Sequence, residues 1–139
     1  MESIHRARLT WQPDEGDSRA HTIELGSQAL AASSAPEYKG DPDKADPEEM
    51  LVGSLSSCHM LWFVALAKAK RLGIVSYEDD AEGTLDGTRF TGVTLRPRVT
   101  FDDGPDEETI RDLHHRAHER CFISNSVNFP VTVEPQGLG

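Results

Sequence analysis

Cysteine is nearly absent from this chain of 139 residues: only Cys58 and Cys121 occur. Basic residues are scarce as well, 14 Lys and Arg against 24 Asp and Glu, for a net charge of −10. The acids are spread along the whole sequence rather than gathered in a tail, which argues against binding a phosphate backbone, so no nucleic acid partner is expected. Internal repeats and low-complexity segments are missing. No uncharged apolar run is expected to reach the roughly 18 residues of a membrane span, and the opening MESIHRARL lacks the apolar core of a secretory signal. A cytoplasmic protein with no membrane partner is the expectation. In a reducing cytosol, two such thiols read as free, catalytic or metal-binding groups rather than as a structural staple.

What the chain does have is one long apolar-periodic stretch, residues 46–73, DPEEMLVGSLSSCHMLWFVALAKAKRLG. Asp46 can cap a helix, Pro47 suits the first helical position, and Glu48 and Glu49 meet the positive end of the dipole. Lys68, Lys70 and Arg71 lie in the last turns and Gly73 can take the left-handed position beyond them. Leu51, Leu55, Cys58, Trp62, Ala65 and Ala69 recur at helical steps and put Cys58 on one apolar stripe. Met50, Leu61, Val64 and Leu66 widen that stripe, so the helix is expected to be covered on most sides. Gly53, Ser54, Ser56 and Ser57 are small enough to let another backbone, or a second copy of the helix, come close.

The length suits one compact domain, 1–139. Residues 3–11 alternate and predict a strand, Pro13, Gly16 and the acids around them a turn, and residues 19–25 the returning arm of a hairpin. Residues 26–45, rich in Ala, Ser, Gly, Asp and Pro, read as a long functional loop. Residues 74–85 and 88–102 flank Asp86-Gly87, a strong hairpin signal, with Pro97 marking an edge or a bulge. A second helix is predicted over 106–120, with Ile110, Leu113 and Ala117 as its buried side and Cys121 at its end. A last strand follows over 131–135, and residues 136–139 are expected to be loose. The order is β-β-α-β-β-α-β, an α+β chain.

Cysteine is the one scarce residue type placed at both helical regions. Each thiol can be a small apolar filler, since free cysteine is among the most buried residue types. The alternative is a redox pair, in which one thiolate attacks an oxidised substrate and the second thiol closes a disulfide on the resulting sulfenic acid. That chemistry requires the fold to bring the two sulfurs together.

The segments DPEEMLVGSLSSCHM and CFISNSV resemble the osmotically inducible protein C / organic hydroperoxide resistance family of thiol peroxidases, and SYEDDAEGTLDG and LRPRVTF extend the likeness over most of the chain from Arg19 onward. The pairing of SCHM with CFISNSV is closer to the osmotically inducible branch. The resemblance implies antiparallel sheets packed around a long central helix in an intertwined homodimer. It implies that Cys58 is the peroxidatic cysteine, Cys121 the resolving one, and Glu48 the glutamate that holds an active-site arginine, best matched by Arg19. It further implies an organic hydroperoxide substrate, no bound cofactor, and regeneration by an external dithiol of the lipoyl type.

Physical chemistry says why such residues would be needed. A thiol in apolar surroundings has its pKa raised, so a positive group must offset burial before it can attack a peroxide. A guanidinium is always charged and can hydrogen-bond the departing alkoxide, and a carboxylate can orient it bidentately. Ten residues of α-helix rise about 15 Å, so Glu48 cannot touch the Cys58 of its own chain along an unbroken helix, and a partner subunit would supply it.

His114, His115 and His118, with the cysteines, form an imaginable metal site, but HHRAH reads as the polar side of its helix and lacks a paired ligand motif. His59 points about 100° away from Cys58 around the helix and is poorly placed as its base. Trp62, Phe63, Phe122 and Phe129 read as core, with some able to line an apolar pocket. Two further classes therefore stand beside the peroxidase: a non-enzymatic stress-related protein that binds an apolar ligand, and a metal-dependent hydrolase.

Overall fold

The structure is a computed structural model that describes residues 1–13 and 17–138. Most of the turn expected around Gly16 lies outside the described residues. The chain divides into two compact units, Met1–Leu51 and Val52–Gly139.

The first unit is a three-stranded antiparallel sheet in the order β1 (Arg8–Thr10), β2 (His21–Leu25), β3 (Gln28–Ala32). Leu25 pairs with Gln28 across a two-residue turn in which Gly26 has φ +61, a conformation that favours glycine. The segment 26–45 is thus not one long loop. Its first part is a strand, and the rest folds through a 3-10 turn at Pro36–Tyr38 and returns to β3, where Ser33 N donates to the Ala45 carbonyl at 2.9 Å. Gly40 is obligatory on that path, because a Cβ there would sit 1.5 Å from the Ser34 carbonyl oxygen. The path ends at buried Asp46, whose Oδ1 accepts from Glu49 N at 2.7 Å while Glu49 Oε1 accepts from Asp46 N at 3.0 Å. This reciprocal capping box starts helix α1 (Pro47–Ala69) where the Asp-Pro signal predicted.

The second unit holds α1 from Val52 onward, four strands, the helix α2 and a final strand. The two strands expected over 74–102 are four: β4 (Ile74–Asp79), β5 (Glu82–Asp86), β6 (Arg89–Leu95) and β7 (Pro97–Phe101). The Asp86-Gly87 hairpin forms as expected, with Gly87 at φ +64. The extra breaks fall between Asp79 and Glu82 and between Leu95 and Pro97, so β4 pairs with β7 and β5 with β6, both antiparallel. The last strand, β8 (Val131–Val133), joins β6 in parallel, a departure from all-antiparallel pairing. The observed order is β-β-β-α-β-β-β-β-α-β, an α+β fold of mainly antiparallel sheets with a long helix.

Two apolar clusters lie on α1. Phe63, Leu66 and Ala67 pack with Leu113 and Ala117 of α2 (Glu107–Arg120) and with Tyr77, Val99 and Phe101 of β4 and β7. Leu55 packs with Val93 and Leu95 of β6 and with Val131 and Val133. The buried stripe is therefore Leu55, His59, Phe63, Leu66 and Ala67, one position round from the expected one, and Cys58 flanks it, half-buried. Coverage is one-sided within the chain: Leu61 is 61% exposed. The helix is shorter than the 46–73 stretch, but its apolar run is longer than expected. It holds an 18-residue window of mean hydropathy 1.6, enough by length and composition to cross a membrane. Its serines hid that run, but its inner face packs onto the protein's own sheets and helix, as a core helix does.

Candidate active site

Cys58 and Cys121 are both free thiols, and they lie near enough for Cys58 to bear on the titration of Cys121. Helix α1 delivers Cys58 on its half-buried flank. Helix α2 delivers Cys121, which is 1% exposed, at its C-terminal cap, where its N–H closes on the His118 carbonyl at 3.3 Å.

The segment after Cys121 explains the polar residues of CFISNSV. Asn125 Nδ2 donates to the Glu119 carbonyl at 3.1 Å, and Ser126 Oγ to the Phe122 carbonyl at 2.7 Å. Both bonds satisfy carbonyls near a helix end that would otherwise lack donors. Ser124 N donates to Cys121 Sγ at 3.4 Å, and Ser124 Oγ lies 3.5 Å from His118 Nδ1. Burial pushes the Cys121 thiol above its usual pKa. The amides of Ser124 and Ile123 oppose that, while the neighbouring Cys58 adds to it.

On the other side of the pair, Ser56 Oγ donates to Asp79 Oδ2 at 2.5 Å, and Arg96 N donates to Asp79 Oδ1 at 2.6 Å. The serine-rich turn before Cys58 is therefore tied to the end of β4. Leu61, Trp62 and Phe122 are among the apolar side chains close to the cysteines in sequence. Trp62 meets Phe122 edge-on with ring centroids 5.5 Å apart, and the Arg120 guanidinium lies 5.9 Å from the Trp62 ring centre. Phe122 is 66% exposed rather than core, and Phe63 alone of the four expected core aromatics is fully buried.

Arg19 and Glu48 belong to the first unit and make no pair with each other within the chain. Arg19 is exposed and its Nε donates to the Tyr38 carbonyl at 2.7 Å. Glu48 is half-buried, and its Oε2 is buried without a hydrogen-bonding partner.

The polar groups that sequence reasoning missed are His59 and His114. They are 1% and 3% exposed, and His59 Nε2 lies 3.0 Å from His114 Nδ1. His114 also stacks on Phe63 at 4.2 Å, so HHRAH is not wholly on the polar side of α2. Burial drives both rings below the ordinary value of 6.5, His59 to about 4 and His114 to about 3; the nearby His118 lowers His59 further, and His59 and then Arg111 lower His114. Asp79 pulls His59 back only in part. Their i to i+4 spacing from Leu55 and Ile110 was the available signal. Among the described residues, no three His, Cys, Asp or Glu side chains cluster closely enough to hold a metal ion, so the metal-hydrolase alternative has no ligand set.

The OsmC-like protein family matches residues 40–136, a segment that contains both cysteines. The chain belongs to the OsmC-like family. A solved OsmC-like protein of unknown function from Vibrio cholerae O1 biovar eltor superposes with a TM-score of 0.91 at 37% identity, over 96% of this chain and 99% of that one. An organic hydroperoxide resistance protein from Elizabethkingia anophelis shares the fold with a TM-score of 0.74 at 19% identity, covering 97% of this chain and 98% of the other. In sequence, the OsmC-like chain is 22% identical over 134 residues to the uncharacterized protein YmaD of Bacillus subtilis, covering 91% of this chain and 88% of the relative.

Proposed function

We propose that this OsmC-like protein is a thiol peroxidase that reduces organic hydroperoxides, alkyl or fatty acyl, to alcohols. The observation that carries the reading is that two free thiols, delivered by separate helical elements, are neighbours close enough for one to shift the titration of the other. The Cys58 thiolate attacks the peroxide oxygen, the O–O bond breaks, and the departing alkoxide takes a proton to become the alcohol. Cys58 is left as a sulfenic acid. Cys121, as thiolate, attacks that sulfur, the S–O bond breaks, and hydroxide leaves as water on gaining a proton, closing a Cys58–Cys121 disulfide. An external dithiol, of the lipoyl type, restores both thiols. The protein itself holds no cofactor in this scheme.

The exposures fit these roles: the half-buried thiol is reachable by substrate, and the buried one meets only its partner. Exposed Leu61 and Phe122, with Trp62 beside them, favour an apolar peroxide over hydrogen peroxide. A homodimer completes the site in this reading. The unpartnered Glu48 Oε2 is suited to accept from a guanidinium supplied by a second copy, with Arg19, whose Nε alone is engaged by Tyr38, as the donor that offsets burial at Cys58. The setting is the cytoplasm, where dithiols keep the pair reduced.

Turnover of cumene hydroperoxide with a dithiol as reductant tests the proposal. The native chain should turn over and oxidise both of its thiols, and a Cys58→Ser chain that still reduced peroxide would end the idea. The exposed apolar side chains beside the cysteines also suit a second reading, a binder of apolar ligands with bystander thiols. Saturable fatty-acid binding alongside sluggish Cys58 oxidation would favour that reading instead.

A further inference from the structure

The resolving step poses a problem that Cys58 does not solve. Cys121 is 1% exposed, neighbours the sulfur it must attack, and must give up its proton before attacking. Something at Cys121 itself has to favour the anion. Among the described residues, backbone amides do so there: the Ser124 amide donates to Sγ at 3.4 Å, and the Ile123 amide acts in the same direction. Successive N–H groups converging on one atom are a common anion cradle. The segment that carries them has one side-chain tie to α2 beyond its carbonyl caps: Ser124 Oγ, 3.5 Å from His118 Nδ1.

We propose that the Ser124 amide is a catalytic group of the resolving step, stabilising the Cys121 thiolate as it attacks the sulfenic sulfur, and that His118 is a positioning residue that holds Ser124 on the sulfur through its hydroxyl. In the step, the S–H proton of Cys121 passes to solvent and the Cys121–Cys58 bond forms. The sulfenic S–O bond breaks, and the hydroxide released is protonated to water. No oxidant is needed beyond the peroxide that made the sulfenic acid. The part of the inference that concerns resolution rests on the peroxidase reading; the part that concerns the thiolate does not.

His118 is half-buried and lines a cavity of about 230 Å³ with Arg111, His114 and His115 of its own helix, with Val133 of the last strand and with Pro135 just beyond it. The titratable groups facing the pair from α1 are Cys58 and His59, and the last strand brings none to the cavity wall.

The direct test titrates Cys121 by thiolate absorbance in a Cys58→Ser chain, where it is the sole cysteine. Ser124→Pro, which deletes the N–H, should raise the titration midpoint most. Ser124→Ala and His118→Leu should each raise it by about one pH unit, a tenfold loss of thiolate at fixed pH, the order expected for weakening one hydrogen bond to a charged acceptor. Ser124→Thr, which keeps the hydroxyl, should restore the native midpoint. With both cysteines present, Ser124→Ala should slow disulfide closure by a similar factor and leave the rate of sulfenic acid formation at Cys58 unchanged. A midpoint unmoved in both Ser124→Ala and His118→Leu overturns the inference. If no sulfenic acid forms on Cys58 at all, the peroxidase reading fails, while the titration still decides whether the amide and His118 govern the Cys121 thiolate.

Discussion

Cys58 and His59 are neighbours on one helix, about 100° apart around its axis, and each makes a polar pair with a residue delivered by α2. Cys58 meets Cys121 at the cap of that helix, and His59 meets His114 two turns earlier. One side chain is half-exposed and the other is 1% exposed. That single step around the helix separates a pair that reagents can reach from a pair sealed beneath Phe63, where His59 Nδ1 and His114 Nε2 have no further partner. The two pairs between the same two segments therefore differ in access: the sulfurs include one that reagents can reach, and the imidazoles are buried in the packing of α1 on α2.

The largest expected effect is a clean dissociation. Cys58→Ser should abolish peroxide turnover and leave the denaturation midpoint close to native, measured by peroxide consumption and urea unfolding. His59→Leu should do the reverse. It leaves the buried His114 Nδ1 without its partner, at a cost of about 1–3 kcal/mol in unfolding free energy, with the rate of Cys58 oxidation kept. A His59→Leu, His114→Leu double substitution should cost less than the sum of the single ones, since neither imidazole is then left unpaired. Equal losses of activity from the His59 and Cys58 substitutions would erase the distinction.

The imidazole pair should also show itself in acid. Both folded values lie below the ordinary 6.5, at about 4 for His59 and about 3 for His114, because burial disfavours the charged ring. As pH falls, the unfolded chain takes up protons around 6.5 while the folded chain does not until about 4. Stability is therefore full above that ordinary value and declines below it, by up to about 1.4 kcal/mol per pH unit for each histidine. Unfolding curves across this window should lose most of their slope in the doubly substituted chain. A slope unchanged there would mean that other groups carry the acid sensitivity.

The smallest expected effect is a control at the start of the same helix. Asp46→Ala removes the side-chain half of the capping box and should cost about 1 kcal/mol, with both polar pairs intact. It should leave the peroxide rate and the acid slope as they are.

How far the sequence foretold this arrangement depends on the residue. The helix starting at Pro47 and the Asp86-Gly87 hairpin were legible because their local chemistry agrees with the tertiary structure. The two sulfurs were legible because cysteine is rare in this chain and each one sits in a family motif. The strand Gln28–Ala32 was not, since alternation in an alanine- and serine-rich stretch carries little amphipathic contrast. The parallel pairing of β8 with β6 is a tertiary choice that no local pattern encodes. His59 and His114 were read by type as polar, although their spacing already placed them on the inner faces of their helices. Arg19 could be matched by motif, but its hydrogen bond to the Tyr38 carbonyl depends on the path of the 3-10 turn, which the sequence did not reveal.

Disulfide mapping with intact mass, after one equivalent of an organic hydroperoxide is added to reduced protein, tests the central claim most directly. The account predicts the loss of two hydrogens per chain and a single linked peptide pair joining Cys58 to Cys121. Oxidation confined to Cys58 as stable sulfinic or sulfonic acid, with Cys121 still alkylatable after denaturation, would contradict it.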